Sequence, residues 1–243
     1  MPISGNRKSI TGGNFGSPKI DLGGCVLYAP LWRPELAGSP FNSNGVYGIP
    51  TQNCTVTGAL WTSQGRRFDG IDDSIDCGSA SVLDDLAPFT FLAWIYPTGA
   101  GEGGNGTVIW KETAGNSGTF FQLYNNDLRL LLRIDHATDD VYRYGTAGEV
   151  KLNIWQQVVA TWDGSTTAAN GHIYINTIEI TYGGSLNGVG ARVSDAANNL
   201  LIGNNLAGSF TFAGTIGEVL IYNRALTPLE IQRNYQTTKW RYS

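Results

Sequence analysis

Aromatic, guanidinium and amide side chains recur along one stretch of the chain, between residues 110 and 143. This combination suits sugar binding, because aromatic rings pack on sugar C–H faces while fixed polar groups bond the hydroxyls. The alternative is that these side chains only cover a solvated strand face. The glycan-binding candidates are Trp110, Gln122, Tyr124, Arg129, Arg133, Tyr142 and Arg143.

A second group of candidates is acidic. Asp69, Asp72 and Asp73 fall within one short turn and offer the hard oxygen ligands that calcium takes. The same residues are also good turn formers, because Asp side chains bond their own backbone nearby. We therefore keep calcium as a candidate cofactor and the turn as the alternative.

Catalytic motifs are missing from the sequence. The chain has no Gly-x-Ser-x-Gly elbow and no phosphate-binding glycine loop. Its two histidines are His136, in an acidic turn typical of a solvated histidine, and His172. We predict no catalytic residues and no enzyme activity.

Composition limits the partners. The net charge is −4 and the basic residues are scattered, which excludes a nucleic-acid binder of the usual basic kind. No apolar run approaches the ~20 residues of a membrane span. The 32 glycines and 7 tryptophans, with only 15% charged residues, predict short strands and tight turns around an aromatic core.

The three cysteines leave their pairing open. Cys25, Cys54 and Cys77 have neither zinc-site spacing nor an even count. They are three buried thiols, or one disulfide and a spare thiol.

The first 22 residues predict an extended N-terminal arm, and residues 23–243 a single domain. The arm is polar and glycine-rich, so it cannot build its own core and is ordered only by lying on another surface. We expect a neighbouring subunit, in a capsid or a homo-oligomer, with its own domain as the alternative. The chain start also lacks the apolar core of a signal peptide.

Several strands can be placed by alternation. Residues 89–96 carry apolar side chains on both faces and stop at Pro97, which is typical of a central strand in a layered domain. Residues 155–162 are likewise predicted to form a central strand. We therefore expect Trp94, Trp155 and Trp162 to be packed in the interior.

Turns and one helix complete the outline. Thr227 and Pro228 can begin a short helix, with Glu230 completing a capping box. Residues 125–126 predict a tight hairpin. Residues 171–176 and 177–182 form a second hairpin, whose Asn176-Thr177 junction predicts a variant or longer turn.

Five segments resemble the laminin-G-like, concanavalin A-like lectin/glucanase jelly rolls. The similarity covers about residue 24 to the end, with the motifs in family order. The segments are 68–73 (FDGIDD), 89–97 (FTFLAWIYP), 155–164 (WQQVVATWDG), 172–176 (HIYIN) and 212–226 (FAGTIGEVLIYNRAL).

The resemblance implies an all-β fold, a two-sheet antiparallel β-sandwich with an N-terminal arm and a short C-terminal helix. Glucanases of this fold carry a Glu-x-Asp-x-x-Glu strand, and its lyases a cleft motif with His; neither occurs here. Relatives with a structural ion often take an Asp where this chain has Gly217, so that ligand is missing unless Glu218 replaces it.

The fold alone does not decide function, because it hosts lectins, adhesion modules and enzymes. We expect a non-catalytic binding or structural domain on a virus particle surface, as a capsid decoration or tail-associated protein, that binds glycans. A particle protein is made without a signal peptide and later faces the outside. The alternatives are a free carbohydrate-binding lectin module and, third, a polysaccharide hydrolase or lyase.

Overall fold

The computed structural model describes residues 19–45, 48–113 and 117–243. Within these ranges the strands form two antiparallel sheets, which we call the back sheet and the front sheet, and one α-helix follows near the C-terminus. The predicted β-sandwich jelly roll with a short C-terminal helix is confirmed.

The back sheet has eight strands in the described ranges. In spatial order they are β14 (Ile178–Glu179), β13 (His172–Ile175), β12 (Gln156–Trp162), β7 (Phe89–Pro97), β17 (Ala213–Tyr222), β5 (Gly65–Asp69) and β4 (Leu60–Thr62), with β1 (Cys25–Ala29) also paired to β17.

The front sheet has nine strands in the same ranges. In spatial order they are β15 (Tyr182–Leu186), β11 (Val141–Gly145), β10 (Arg129–Ile134), β9 (Ser117–Tyr124), β8 (Gly106–Thr113), β16 (Leu201–Ile202), β6 (Ser74–Asp76), β3 (Asn53–Thr57) and β2 (Phe41–Asn42).

Strand β7 occupies the centre of the back sheet, between β12 and β17. Phe89, Phe91 and Ile95 point into the core between the sheets, and Leu92 points to the opposite side, where it is equally buried. A strand buried on both faces reads as a continuous apolar run, as the sequence predicted.

The helix α1 (Pro228–Thr238) covers the outer face of the back sheet. Its predicted capping box is present, since Thr227 and Glu230 bond each other's backbone N–H. Ile231 is fully buried, whereas Leu229 is 55% exposed and faces solvent. Within the described residues, no helix is long and apolar enough to cross a membrane.

The three tryptophans of the family strands all pack against other rings. Trp162 is fully buried and contacts Phe89. Trp94 stacks on Tyr242 under the C-terminal segment, with ring centroids 4.5 Å apart. Trp155, just before β12, is half-buried against the same tyrosine.

The cysteines resolve into one bridge and one free thiol. Cys54 on β3 and Cys77 after β6 form a disulfide across neighbouring strands of the front sheet. Cys25 is free and buried on β1. Spacing could not select this pair, because the partners meet only through strand pairing.

The N-terminal arm is described only from residue 19, and residues 1–18 of the predicted arm lie outside the described residues. Ile20 and Leu22 pack on the outer face of the back sheet. The carbonyl of Asp21 accepts a hydrogen bond of 2.7 Å from the Tyr222 hydroxyl. This end of the arm is therefore held by its own domain.

Two hairpin turns can be compared with prediction. Residues 125–128 form a four-residue loop between β9 and β10, instead of a two-residue turn at 125–126. The β13–β14 hairpin has only two turn residues, since Ile175 pairs directly with Ile178, so the variant turn is confirmed and the longer alternative is wrong. Both turn residues have positive φ, 48° at Asn176 and 78° at Thr177.

This hairpin turn yields a stability prediction. A β-branched residue in the left-handed region is strained, and glycine is preferred at the second position of such a turn. We expect Thr177→Gly to raise the free energy of unfolding by about 1 kcal/mol, measured by urea denaturation. The matched control, Thr55→Gly within β3, should lower it, because glycine weakens an ordinary strand. A Thr177→Gly protein no more stable than wild type would contradict the prediction.

Candidate functional site

A cavity of about 740 Å³ lies on the outer face of the front sheet. Strands β8, β9, β10 and β11 form its floor, and the segment 205–210 contributes to one wall. Side chains that alternate with those of the core point into it. Six of the seven glycan-binding candidates line it: Trp110, Gln122, Tyr124, Arg129, Arg133 and Tyr142.

The strand register arranges these side chains in rows across the sheet. Trp110 pairs with Phe120, Phe120 with Arg133, and Arg133 with Tyr142. The next outward-facing row contains Gln122, Leu131 and Tyr144, and the third contains Tyr124 and Arg129. Residues that are far apart in sequence therefore meet on one surface.

Aromatic rings cover much of the floor and wall. The rings of Trp110 and Phe120 stack with centroids 4.5 Å apart and an interplanar angle of 12°. Phe210 approaches Trp110 edge-on at 6.1 Å, and Tyr142 lies 6.0 Å from Tyr144. Trp110 and Phe120 are buried, so the half-buried rings of Tyr142 and Tyr144 are the ones whose faces can pack against the C–H faces of a sugar ring.

The two arginines of the cavity are fixed by carboxylates. Arg129 pairs with Asp127 through two nitrogens, and this bond holds the pKa of Asp127 below its usual range. Arg133 Nη2 lies 2.6 Å from Asp140, and its Nε lies 3.0 Å from Asp135. Guanidinium groups held in this way keep donors in place at little further entropic cost.

Amide groups add further polar contacts. Gln122 is buried, and its Oε1 has no hydrogen-bond partner among the described residues. Asn105, Asn125 and Asn205 line the end of the cavity near Tyr124. A buried acceptor without a partner is costly, so it can gain from a ligand hydroxyl.

Arg143, the seventh candidate, does not line the cavity. Its guanidinium donates to the carbonyls of Ala169 and Gly171, at 2.9 and 2.6 Å. It also lies 3.3 Å from the centre of the Tyr182 ring. Adjacent strand residues point to opposite faces, so Tyr142 and Arg143 cannot both face one cavity. Arg143 therefore lies outside the cavity that the other six candidates line, as alternation from Tyr142 requires.

Several residues that line the cavity were not among the candidates predicted from the sequence. Alternation from Trp110 leads to Glu112, and alternation from Tyr142 leads to Tyr144, so both were within reach of the pattern. Phe210 had no such signal, since it comes from a loop far along the chain. The further lining residues missed include Phe120, Leu131, Asp140, Asn205 and Leu206.

Glu112 stands out among them. It is only 6% exposed, and its Oε2 has no hydrogen-bond partner among the described residues. Burial, and then the nearby charge of Asp135, raise the pKa of Glu112 to about 7. This carboxyl group is therefore close to half protonated at neutral pH.

The predicted calcium ligands lie together in the turn after β5. Carboxylate oxygens of Asp69, Asp72 and Asp73 all lie within 4.8 Å of one another. Asp69 Oδ1 accepts from the Ile71 N–H and Asp73 Oδ2 from the Asp69 N–H, as turn-forming side chains do. Burial, together with the charges of Asp69 and Asp72, raises the pKa of Asp73 above its usual value, and the hydrogen bond from the Asp69 N–H acts in the opposite direction.

Glu218 does not join this group. It is buried on the outer face of the back sheet, where it pairs in register with Trp94. Burial raises its pKa to about 7, and the charge of Arg241 acts in the opposite direction. The idea that Glu218 replaces the missing calcium ligand is therefore wrong.

Known structures resemble this chain in fold. Trypanosoma rangeli sialidase matches with a TM-score of 0.60 at 16% identity, over 92% of this chain and 34% of the sialidase chain. The binding domain of Paraclostridial Mosquitocidal Protein 1 matches with 0.61 at 14% identity, over 88% of this chain and 52% of that one. The botulinum neurotoxin serotype D binding domain matches with 0.62 at 13% identity, over 88% and 51%.

These likenesses concern the fold alone, at identities this low. The chain spans about a third of the sialidase and about half of the toxin chains. No curated protein sequence matches it significantly. A family model, however, matches residues 68–232, which include all five segments noted above. The chain belongs to the concanavalin A-like lectin/glucanases superfamily, in its laminin-G group.

Proposed function

We propose that this domain is a non-catalytic carbohydrate-binding module that uses the front-sheet cavity. The observation that carries the proposal is the aromatic floor of the cavity, where half-buried Tyr142 and Tyr144 lie beside the buried Trp110–Phe120 stack, bordered by fixed arginines and amides. A volume of about 740 Å³ falls in the range of small-molecule sites. Two of the structural neighbours are binding domains of larger proteins, which is consistent with a binding role.

Binding is favoured over cleavage by the state of the carboxylates. A glycosidase needs one carboxyl group as acid and a second as nucleophile or base. Glu112 has the raised pKa of an acid, but Asp135 and Asp140 are both paired with Arg133. Asp135 is also fully buried, away from any ligand. We therefore keep a polysaccharide hydrolase or lyase as the less favoured alternative.

We also propose that the domain faces an oxidising environment, on the surface of a virus particle as a capsid decoration or tail-associated protein. The Cys54–Cys77 disulfide supports this setting, because such bonds persist mainly outside reducing compartments. In this proposal the arm contacts other protein subunits while the cavity faces solvent. The alternative is a free lectin module, which would use the same cavity but would not assemble with other protein subunits.

The cavity proposal predicts the effect of removing one exposed ring. Tyr124 is 36% exposed at the cavity end, so Tyr124→Ala should leave the fold intact. We expect affinity for a bound glycan, first identified on a broad array, to fall about five- to tenfold by calorimetry, the value of one aromatic contact.

Trp240→Ala is the matched control, because this ring is 67% exposed and lies after α1, remote from the cavity. The Trp240→Ala protein should bind the glycan with the same affinity as wild type. An array without any bound glycan would reject the proposal. Turnover of a bound polysaccharide would move the assignment to the enzyme alternative.

Calcium binding by the acidic turn predicts a stability change. A cation that binds only the folded state raises its melting temperature. We expect millimolar calcium to raise the melting temperature above that in a chelator. Asp72→Asn should remove the increase, and Asp139→Asn, an exposed acid elsewhere, should preserve it. Equal melting temperatures with calcium and with chelator would leave these residues as turn formers only.

The assembly proposal predicts an effect of the arm on oligomeric state. Residues 20 and 22 pack on the domain, so removing residues 1–18 leaves that anchor in place. We expect the full chain to form an oligomer and the truncated chain a monomer with unchanged melting temperature, by light scattering coupled to size exclusion. A monomeric full chain would argue against self-assembly through the arm and favour the free lectin module.

A further inference from the structure

One end of the cavity carries more negative than positive charge. Glu112 lies there together with Arg133 and Asp140, and Asp135 lies beneath them. Arg133 is already shared by Asp135 and Asp140, so its single positive charge is matched twice. With Glu112, three carboxyl groups lie near a single guanidinium group.

The register explains why Glu112 and Asp135 influence each other. Glu112 pairs with Gly118 on β9, and the N–H of Asp135 donates to the carbonyl of Gly118 on the other side. Gly118 has no side chain to separate them. A Cβ at this position would collide with the Lys111 carbonyl oxygen, and φ is +152°, so glycine is required.

The rings around this end also favour a cation. Trp110, Phe120 and Tyr142 line the cavity beside it, and the Arg133 guanidinium already lies 5.7 Å from the centre of the Phe120 ring. Aromatic faces attract positive charge, and they attract it more strongly where water is excluded. A buried carboxylate beside aromatic rings is the combination that recognises ammonium groups.

Resting on the carbohydrate-binding function above, we propose that Glu112 is a specificity-determining residue that receives a positively charged amine group of the glycan. The cavity then prefers amine-bearing sugars to their neutral N-acetylated forms, and it disfavours acidic sugars. The ligand supplies Glu112 with a positive charge of its own, because the charge of the nearby Arg133 is already paired with Asp135 and Asp140.

The proposal implies a pH dependence with a definite sign. Burial and the charges of Asp135 and Asp140 favour the protonated form of Glu112, and Arg133 opposes them. A cationic ligand favours the ionised form instead, so its binding releases a proton where Glu112 was protonated. Affinity for a permanently charged ligand should therefore rise with pH through the pKa of Glu112, near 7.

The test compares three trimers of matched length by calorimetry. They are a glucosamine trimer permanently methylated to trimethylammonium groups, the N-acetylglucosamine trimer, and a galacturonate trimer. We expect the charged trimer to bind wild type about tenfold more tightly than the neutral one, the order of a desolvated charge pair. Glu112→Gln should abolish this preference, and Glu35→Gln, an equal charge change at an exposed site, should keep it.

The outcomes separate the two proposals. If the neutral trimer or another array glycan binds the cavity but the charged trimer has no advantage, amine recognition by Glu112 is overturned while carbohydrate binding stands. If no glycan binds, both fail. The pH profile from 5 to 8 gives a second measurement on wild type, independent of how Glu112→Gln folds. A flat profile for the charged trimer would also overturn the inference.

Discussion

The pairing register of β8 to β11 decides which side chains face the core and which face the cavity. Ile109 and Leu132 both lie opposite Phe121, and all three are buried between the sheets. Their neighbours Trp110 and Phe120 point outward and stack on each other. Because side chains alternate with a period of two, a slip by one residue would put arginines in the core and Phe121 in water. The core thus holds the cavity residues in place.

The same burial shapes the electrostatics of the cavity. Charges that leave water must be paired or must shift their pKa, and both responses occur within two neighbouring rows of the sheet. Arg133 is paired with two carboxylates, while burial raises the pKa of Asp135 to about 6 and that of Glu112 to about 7. The apolar rings that could hold a sugar are therefore also the cause of an acidic group sensitive to neutral pH.

Much of the fold could be predicted from local patterns, because they act over a few residues. The strand β7, which is apolar on both faces, and the capping box at Thr227 can each be recognised from residues that are close together in the sequence. Six of the seven cavity candidates followed from the outward faces of four strands. Pairing between distant segments was out of reach, as in the Cys54–Cys77 bridge and the approach of Phe210 to Trp110. Arg143 lies outside the cavity, as alternation from Tyr142 requires.

The two outer faces of the sandwich differ in what covers them. On the back sheet, Ile231 of α1 is fully buried, and Tyr242 stacks on Trp94. The end of the arm, with Ile20 and Leu22, packs on the same side. On the front sheet, the corresponding aromatic cluster around Trp110 borders an open cavity instead. The rings on the back-sheet face are thus sealed by the chain's own C-terminus, whereas on the front sheet the partly exposed rings of Tyr124, Tyr142 and Tyr144 border an open cavity above the buried Trp110 and Phe120. This asymmetry is the reason that recognition is proposed for the front sheet.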